Sequence, residues 1–131
     1  MINKKLNIAI IGLGNIGSYL YKYLKTNKEI LSKKNNCVPN IIFVSAKNRS
    51  KKRNIKINKK DWLKNYLDAT KSKNVDIIVE LIGGAEGAAK KLVFNALKNK
   101  KHVVTANKAL IAKYGDQLSK IAEQNKVNLE F

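Results

Sequence analysis

Residues 12–17 read Gly-Leu-Gly-Asn-Ile-Gly, directly after the apolar run "LNIAII" and directly before "SYLYKYL". A G-x-G-x-x-G spacing constrains the fold only in the right setting, between a strand and a helix, and that setting is present here. The strand (residues 6–12) is apolar throughout, as expected for one covered on both faces of a parallel sheet. Ile16, Leu20 and Leu24 then recur at helical spacing from 15 to about 27, with the helix continuing towards Leu31. Gly12 permits the tight turn, and Gly17 lets the helix pack closely on the strand. Gly14 leaves the backbone bare where an anion would approach.

The same alternation continues along the chain. "KKNNCVPN" reads as a loop, ended by Pro39 before a strand at 41–46. A short strand is expected at 55–57, and Asp61 as the N-cap of a helix carrying Trp62, Leu63, Tyr66 and Leu67. Residues 75–84 form a buried strand closed by Gly83 and Gly84, followed by a helix over 87–100. "HVVTA" (102–106) is a fourth strand, and a short helix from Lys108 ends at Gly115 as a C′ residue. Asp116 caps a further helix, and 127–131 is a last strand. This order predicts one α/β domain of Rossmann type over residues 1–131, with a doubly wound, mostly parallel sheet. At 131 residues, about two thirds of the unfolded surface can be buried. No exposed apolar stripe is expected.

The fingerprint points to a nicotinamide dinucleotide, its diphosphate resting on the N–H groups of Asn15 and Ile16 at the helix N-terminus. Folds that prefer NAD place an acid after the second strand. Here "FVSAKNRSKKR" has none, and the first carboxylate after Glu29 is Asp61. Lys47 and Arg49 stand where a 2′-phosphate would lie, so NADP is expected, with NAD as the alternative; Lys51 and Lys52 also qualify as its contacts. In such sheets ligands bind beyond the carboxyl ends of the strands, which places Gly83, Gly84, Thr105, Asn107 and Lys108 at the crevice. Asn107 qualifies as an N-cap. A cation at Lys108, in the first helical turn, costs a few tenths to about 1 kcal/mol against the helix dipole. A need for positive charge in the crevice would account for it. Glu80, inside an apolar strand, is either paired in the core or near the crevice.

The net charge of +18 raises the question of a polyanion. The cations are 25 Lys and only 2 Arg, beside 17 Asn and 15 Ile. All three abundant types share A/T-rich codons, and apart from "KNRSKKR" the lysines are dispersed. The charge therefore reads as solvated surface, and nucleic acid is not expected as a partner. The single Cys37 and single His102 give no metal-ligand spacing and no nucleophile–histidine pair, so no metal is expected. No segment approaches the roughly 18–20 apolar residues of a membrane span, and "MINKKLNIAIIG" has no signal-peptide pattern, so a cytoplasmic setting is expected.

"GLGNIG", "VDIIVELIGG" and above all "KHVVTANKALIAKYG" resemble the N-terminal domain of homoserine dehydrogenases, as does the basic "AKNRSKKR", where the family usually has an Arg-Asp pair. Lys47-Asn48 departs from that pair, keeping the cation and losing the acid. The resemblance implies NAD(P)-dependent interconversion of L-homoserine and L-aspartate 4-semialdehyde, in threonine and methionine biosynthesis. It implies that Lys108 lies near cofactor and substrate and supports activity, and that the family is homo-oligomeric. It also implies that a second lysine and the acidic substrate ligands belong to a separate catalytic domain. That domain is expected to be absent from these residues, so no homoserine oxidation is expected of them unless a second polypeptide supplies the rest; an excised domain, half of a split enzyme and a decayed gene product all fit the sequence. A stand-alone dinucleotide-binding regulator without catalysis is the alternative.

Overall fold

The computed structural model describes residues 4–131. Five strands form one all-parallel sheet in the order β2-β1-β3-β4-β5, with β1 Lys4–Ile11, β2 Cys37–Ser45, β3 Ile77–Glu80, β4 His102–Thr105 and β5 Leu129–Glu130. Around it lie α1 Asn15–Thr26, α2 Lys28–Asn35, α3 Asp68–Lys71, α4 Ala88–Lys98 and α5 Lys108–Asn125. The expected doubly wound α/β architecture is what forms. Alternate residues of β1 serve two cores. Ile8 and Ile10 meet Tyr21 of α1 with Val79 of β3, whereas Ala9 and Ile11 join Leu92, Val93, Leu110 and Leu118 of α4 and α5. The strand order reverses between β1 and β3, which opens a crevice at their carboxyl ends.

Several elements differ from the sequence expectation. Strand β2 starts at Cys37, so Pro39 lies inside it, opposite Leu6. As the edge strand, β2 has one side with no ladder to complete, and proline is tolerated there. A bulge shifts its register between Ile8/Ala9, so Ile41 and Val44 both reach the α1 core. The segment 55–57 is no strand; Ile55 and Ile57 pack irregularly against that same core. Asp61 caps no helix over 62–67. It ends a 3-10 turn, after which Trp62 bridges to Val44 and the Leu63 N–H donates to the Val44 carbonyl at 2.9 Å. Pairing with β2 thus overrides the local helical pattern.

The first helix breaks at Asn27 and resumes as α2, which ends with Asn36 in the left-handed region at φ 52°. Gly115 terminates nothing: α5 runs unbroken through it, and Asp116 lies in the helix interior. A mid-helix glycine costs about 1 kcal/mol against alanine. Burial of Leu110 on one side of it and Leu118 and Ala122 on the other outweighs that. Along α1, Ile16, Tyr19 and Tyr23 are exposed at helical spacing, with the two tyrosine rings stacked 6.0 Å apart, so an exposed apolar stripe does exist. Among the described residues no helix is long and apolar enough to cross a membrane. His102 opens β4 and accepts the Asn128 N–H on Nδ1 at 3.0 Å, fastening the approach to β5.

Beside α4, Glu86 joins Lys113 at 2.7 Å and Lys90 at 3.4 Å, and accepts the Tyr114 hydroxyl. The hydrogen bond from Lys113, and then that from Tyr114, lowers the Glu86 carboxyl from 4.5 to about 2. A depressed carboxyl stabilises the fold fully above its unfolded value and loses that contribution as pH falls through its folded one. The thermal midpoints of the parent chain and Glu86→Gln should therefore differ most above pH 4.5 and converge as pH falls to about 2. Midpoints measured across this range check it; a constant difference would contradict it.

Candidate functional site

The turn after β1 is shaped by two glycines that face protein and one that does not. The Gly12 N–H donates to the Ser45 carbonyl at 2.8 Å, which ties the turn to the end of β2. Gly12 has φ +106°, and a Cβ there would lie 2.6 Å from the Leu81 carbonyl. A Cβ on Gly17 would lie 2.0 Å from the Gly12 oxygen, so α1 can approach the turn only with glycine at that position. Gly14 is different: nothing lies within 4 Å of where its Cβ would be. It is the N-cap of α1 and offers no side-chain cap, and no acid stands in the first turn. The Gly14 carbonyl accepts the Ser18 N–H at 2.9 Å, leaving earlier N–H groups, including those of Asn15 and Ile16, without intrahelical acceptors. Open amides, the positive end of a helix dipole and a Cβ-free approach suit a diphosphate.

Across the crevice, Glu80 organises the ends of β3 and β4. It is fully buried. Its Oε2 accepts the N–H groups of Ile82 at 2.7 Å and Gly83 at 3.0 Å, and its Oε1 accepts the Thr105 hydroxyl at 2.5 Å. Thr105 Oγ1 in turn accepts the Asn107 N–H at 3.0 Å. Asn107 donates from Nδ2 to the Gly84 carbonyl at 2.6 Å, and its Oδ1 caps α5 by accepting the Leu110 N–H at 3.0 Å. Gly83 and Gly84 adopt φ of 90° and 80°, which folds the turn over this network. Thr105, placed at the crevice by its sequence position, therefore directs its hydroxyl inward. Glu80 both packs in the core and borders the crevice, and its one advance signal was an acid inside an apolar strand.

A cavity of about 160 Å³ brings together Ile16, Glu80, Leu81, Ile82, Gly83 and Asn107. The amide-lined start of α1 thus faces the second glycine turn. Lys108 is exposed at the first position of α5 and takes part in neither ion pair found among the described residues. Lys47 and Arg49 are exposed beyond β2 and do not line this cavity. Arg49 lines a second cavity with Arg53, Ile55, Ile57 and Trp62, its guanidinium carbon 5.1 Å from the Trp62 ring centre. The sequence pattern gave no sign of Trp62 in this place, since it looked like a helix-core residue.

Comparisons with known proteins converge. The family model described as homoserine dehydrogenase, NAD binding domain, matches residues 12–131. The homoserine dehydrogenase of Bacillus subtilis (strain 168) is 35% identical over 128 residues, covering 98% of this chain and 29% of its own length. That of Helicobacter pylori is 30% identical over 129 residues, covering 98% of this chain and 30% of its own. Crystal structures of the S. aureus and Thiobacillus denitrificans homoserine dehydrogenases both superpose with TM-score 0.89. Their identities are 37% and 33%, over 99% and 98% of this chain and 32% and 29% of theirs. The chain spans about 30% of the length of these relatives.

The glycine contacts give a paired prediction. Gly17→Ala forces a methyl group against the Gly12 carbonyl and should destabilise the fold by about 2–4 kcal/mol, whereas Gly14→Val should change stability by less than about 1 kcal/mol. Urea titration of both variants tests it; equal losses would contradict the assigned roles. Glu80→Ala strands three donors and should cost about 3 kcal/mol in the same assay.

Proposed function

Because the chain belongs to the homoserine dehydrogenase family through its NAD-binding domain, we propose that it holds NADP(H) across the β1/β3 crevice and serves hydride transfer between L-homoserine and L-aspartate 4-semialdehyde. The observation that carries this reading is the start of α1, where uncapped amides meet open space at Gly14. Gly12 and Gly17 shape the turn, and Asn15 and Ile16 offer N–H groups to the diphosphate. Lys47 and Arg49 meet the 2′-phosphate; no acid after β2 repels it or claims the ribose hydroxyls. The Gly83–Gly84 turn, held through Thr105 and Asn107, borders the nicotinamide end.

Bound nicotinamide would supply the hydride acceptor or donor. Lys108 stands at the rim of the crevice at the head of α5, where its ammonium can approach the reacting end. The small dipole cost of a cation at that position is then the cost of placing charge beside cofactor and substrate. Covering an alcohol and excluding water needs surface that this open rim does not provide. The 131 residues therefore bind the dinucleotide and depend on further protein for turnover, in a cytoplasmic setting. A second reading, a dinucleotide-responsive regulator without catalysis, draws support from the exposed Ile16, Tyr19 and Tyr23 stripe, which starts at the cavity. It requires the state of association to change with ligand, which sedimentation with and without NADPH would read.

Calorimetric titration tests the main reading. NADPH should bind at least about tenfold more tightly than NADH, and Gly14→Val should weaken both by at least about tenfold. Lys47→Ala should lower NADPH affinity selectively. Absence of NADPH binding would refute the proposal, and homoserine oxidation by the purified 131-residue polypeptide would refute its dependence on further protein.

A further inference from the structure

The basic segment 47–53 looks, as sequence, like a set of interchangeable cations. In the fold one of them has a different task. Arg53 is half-buried and directs its guanidinium at its own neighbourhood. Its Nε donates to the Leu13 carbonyl at 2.9 Å, its Nη1 to the carbonyls of Arg49 at 3.2 Å and Lys51 at 3.0 Å, and its Nη2 to that of Asn48. Four of the five N–H donors of the fork thus hold backbone. Leu13 lies between Gly12 and Gly14, so this one side chain gathers the loop after β2 and fastens it to the glycine turn.

Trp62 completes the arrangement. It is the only tryptophan in the chain and is fixed beside β2 by its bridge to Val44. The guanidinium carbons of Arg49 and Arg53 lie 5.1 and 5.8 Å from its ring centre. Among the described residues the Arg49 guanidinium donates no hydrogen bond, and the contact it makes is with the indole face.

We infer that Arg53 and Trp62 are positioning residues that set preference for a 2′-phosphorylated dinucleotide. Arg53 orders the Asn48–Lys51 carbonyls against the glycine turn, and Trp62 presents Arg49. The inference rests on the NADP(H) reading above. An unbraced loop of long cationic side chains would have to be ordered at the moment of binding, and bracing it beforehand removes that cost. The effect falls on the 2′-phosphate selectively, because the glycine turn keeps anchors of its own in the Gly12–Ser45 bond and the Ser18 hydroxyl, which donates to the Leu13 carbonyl at 3.2 Å. Arginine matters here for its fork, which lysine lacks at equal charge.

Adenosine 2′,5′-bisphosphate and adenosine 5′-monophosphate differ only by the 2′-phosphate, and calorimetry against both gives a discrimination ratio. Arg53→Lys and Trp62→Leu should each lower that ratio about fivefold or more while monophosphate affinity stays within about twofold. In the unsubstituted chain, Trp62 emission should change with the bisphosphate, with a midpoint matching calorimetry, and less with the monophosphate. That measurement and Trp62→Leu decide the matter if Arg53→Lys does not fold. A parent chain that binds both nucleotides equally would overturn the NADP(H) reading itself. If the parent discriminates, a ratio unchanged in the variants, an equal loss for both nucleotides, or an unresponsive Trp62 would overturn the positioning role.

Discussion

The architecture of the crevice depends on how closely α1 can approach the turn that precedes it. A Cβ at Gly17 would stand 2.0 Å from the Gly12 oxygen, and one at Gly12 would meet the Leu81 carbonyl at 2.6 Å. Both separations are closer than atoms can tolerate. Two absent side chains therefore let the first helix, the first strand and the end of β3 converge. That convergence aims the open amides of α1 across the crevice towards Gly83 and Asn107. At Gly14 the absence of a side chain serves something else, since the space beside it is empty of protein. One motif thus combines two packing requirements with one of access.

The opposite wall uses a different device. A carboxylate with no cation beside it is costly to bury unless donors surround it. Glu80 receives three, two from backbone N–H groups and one from Thr105, and these belong to the segments that must be held at the crevice. Through Thr105 and Asn107 the same network reaches the N-terminus of α5. Lys108 follows directly on that cap. The head of α5, where its side chain stands exposed, is thus tied to the buried acid at the end of the neighbouring β3.

The abundance of lysine concealed how the positive charge is divided. Lys90 and Lys113 clasp Glu86 and join α4 to α5. Arg53 binds carbonyls, and Arg49 lies over Trp62. The two arginines, in a chain where nearly every cation is lysine, stand together at the one loop where planar guanidinium geometry is used.

The periodicity of the apolar residues and the glycine spacing were enough to specify the parallel α/β fold, the central strand, the turn at 12–17 and the Asn107 cap, because each announces itself in a pattern only a few residues long, even where the contacts that complete it are distant. The edge strand running through Pro39, the bulge that resets β2, the uninterrupted α5 across Gly115 and the extended path of Trp62 were not legible. At each of these positions a local preference is outweighed by burial or pairing against residues distant in the chain. The inward hydroxyl of Thr105, the buried network of Glu80 and the brace of Arg53 have the same origin. Composition determines which donors and acceptors exist; only the packed sheet brings an acid at 80 to a hydroxyl at 105, or a guanidinium at 53 to a carbonyl at 13.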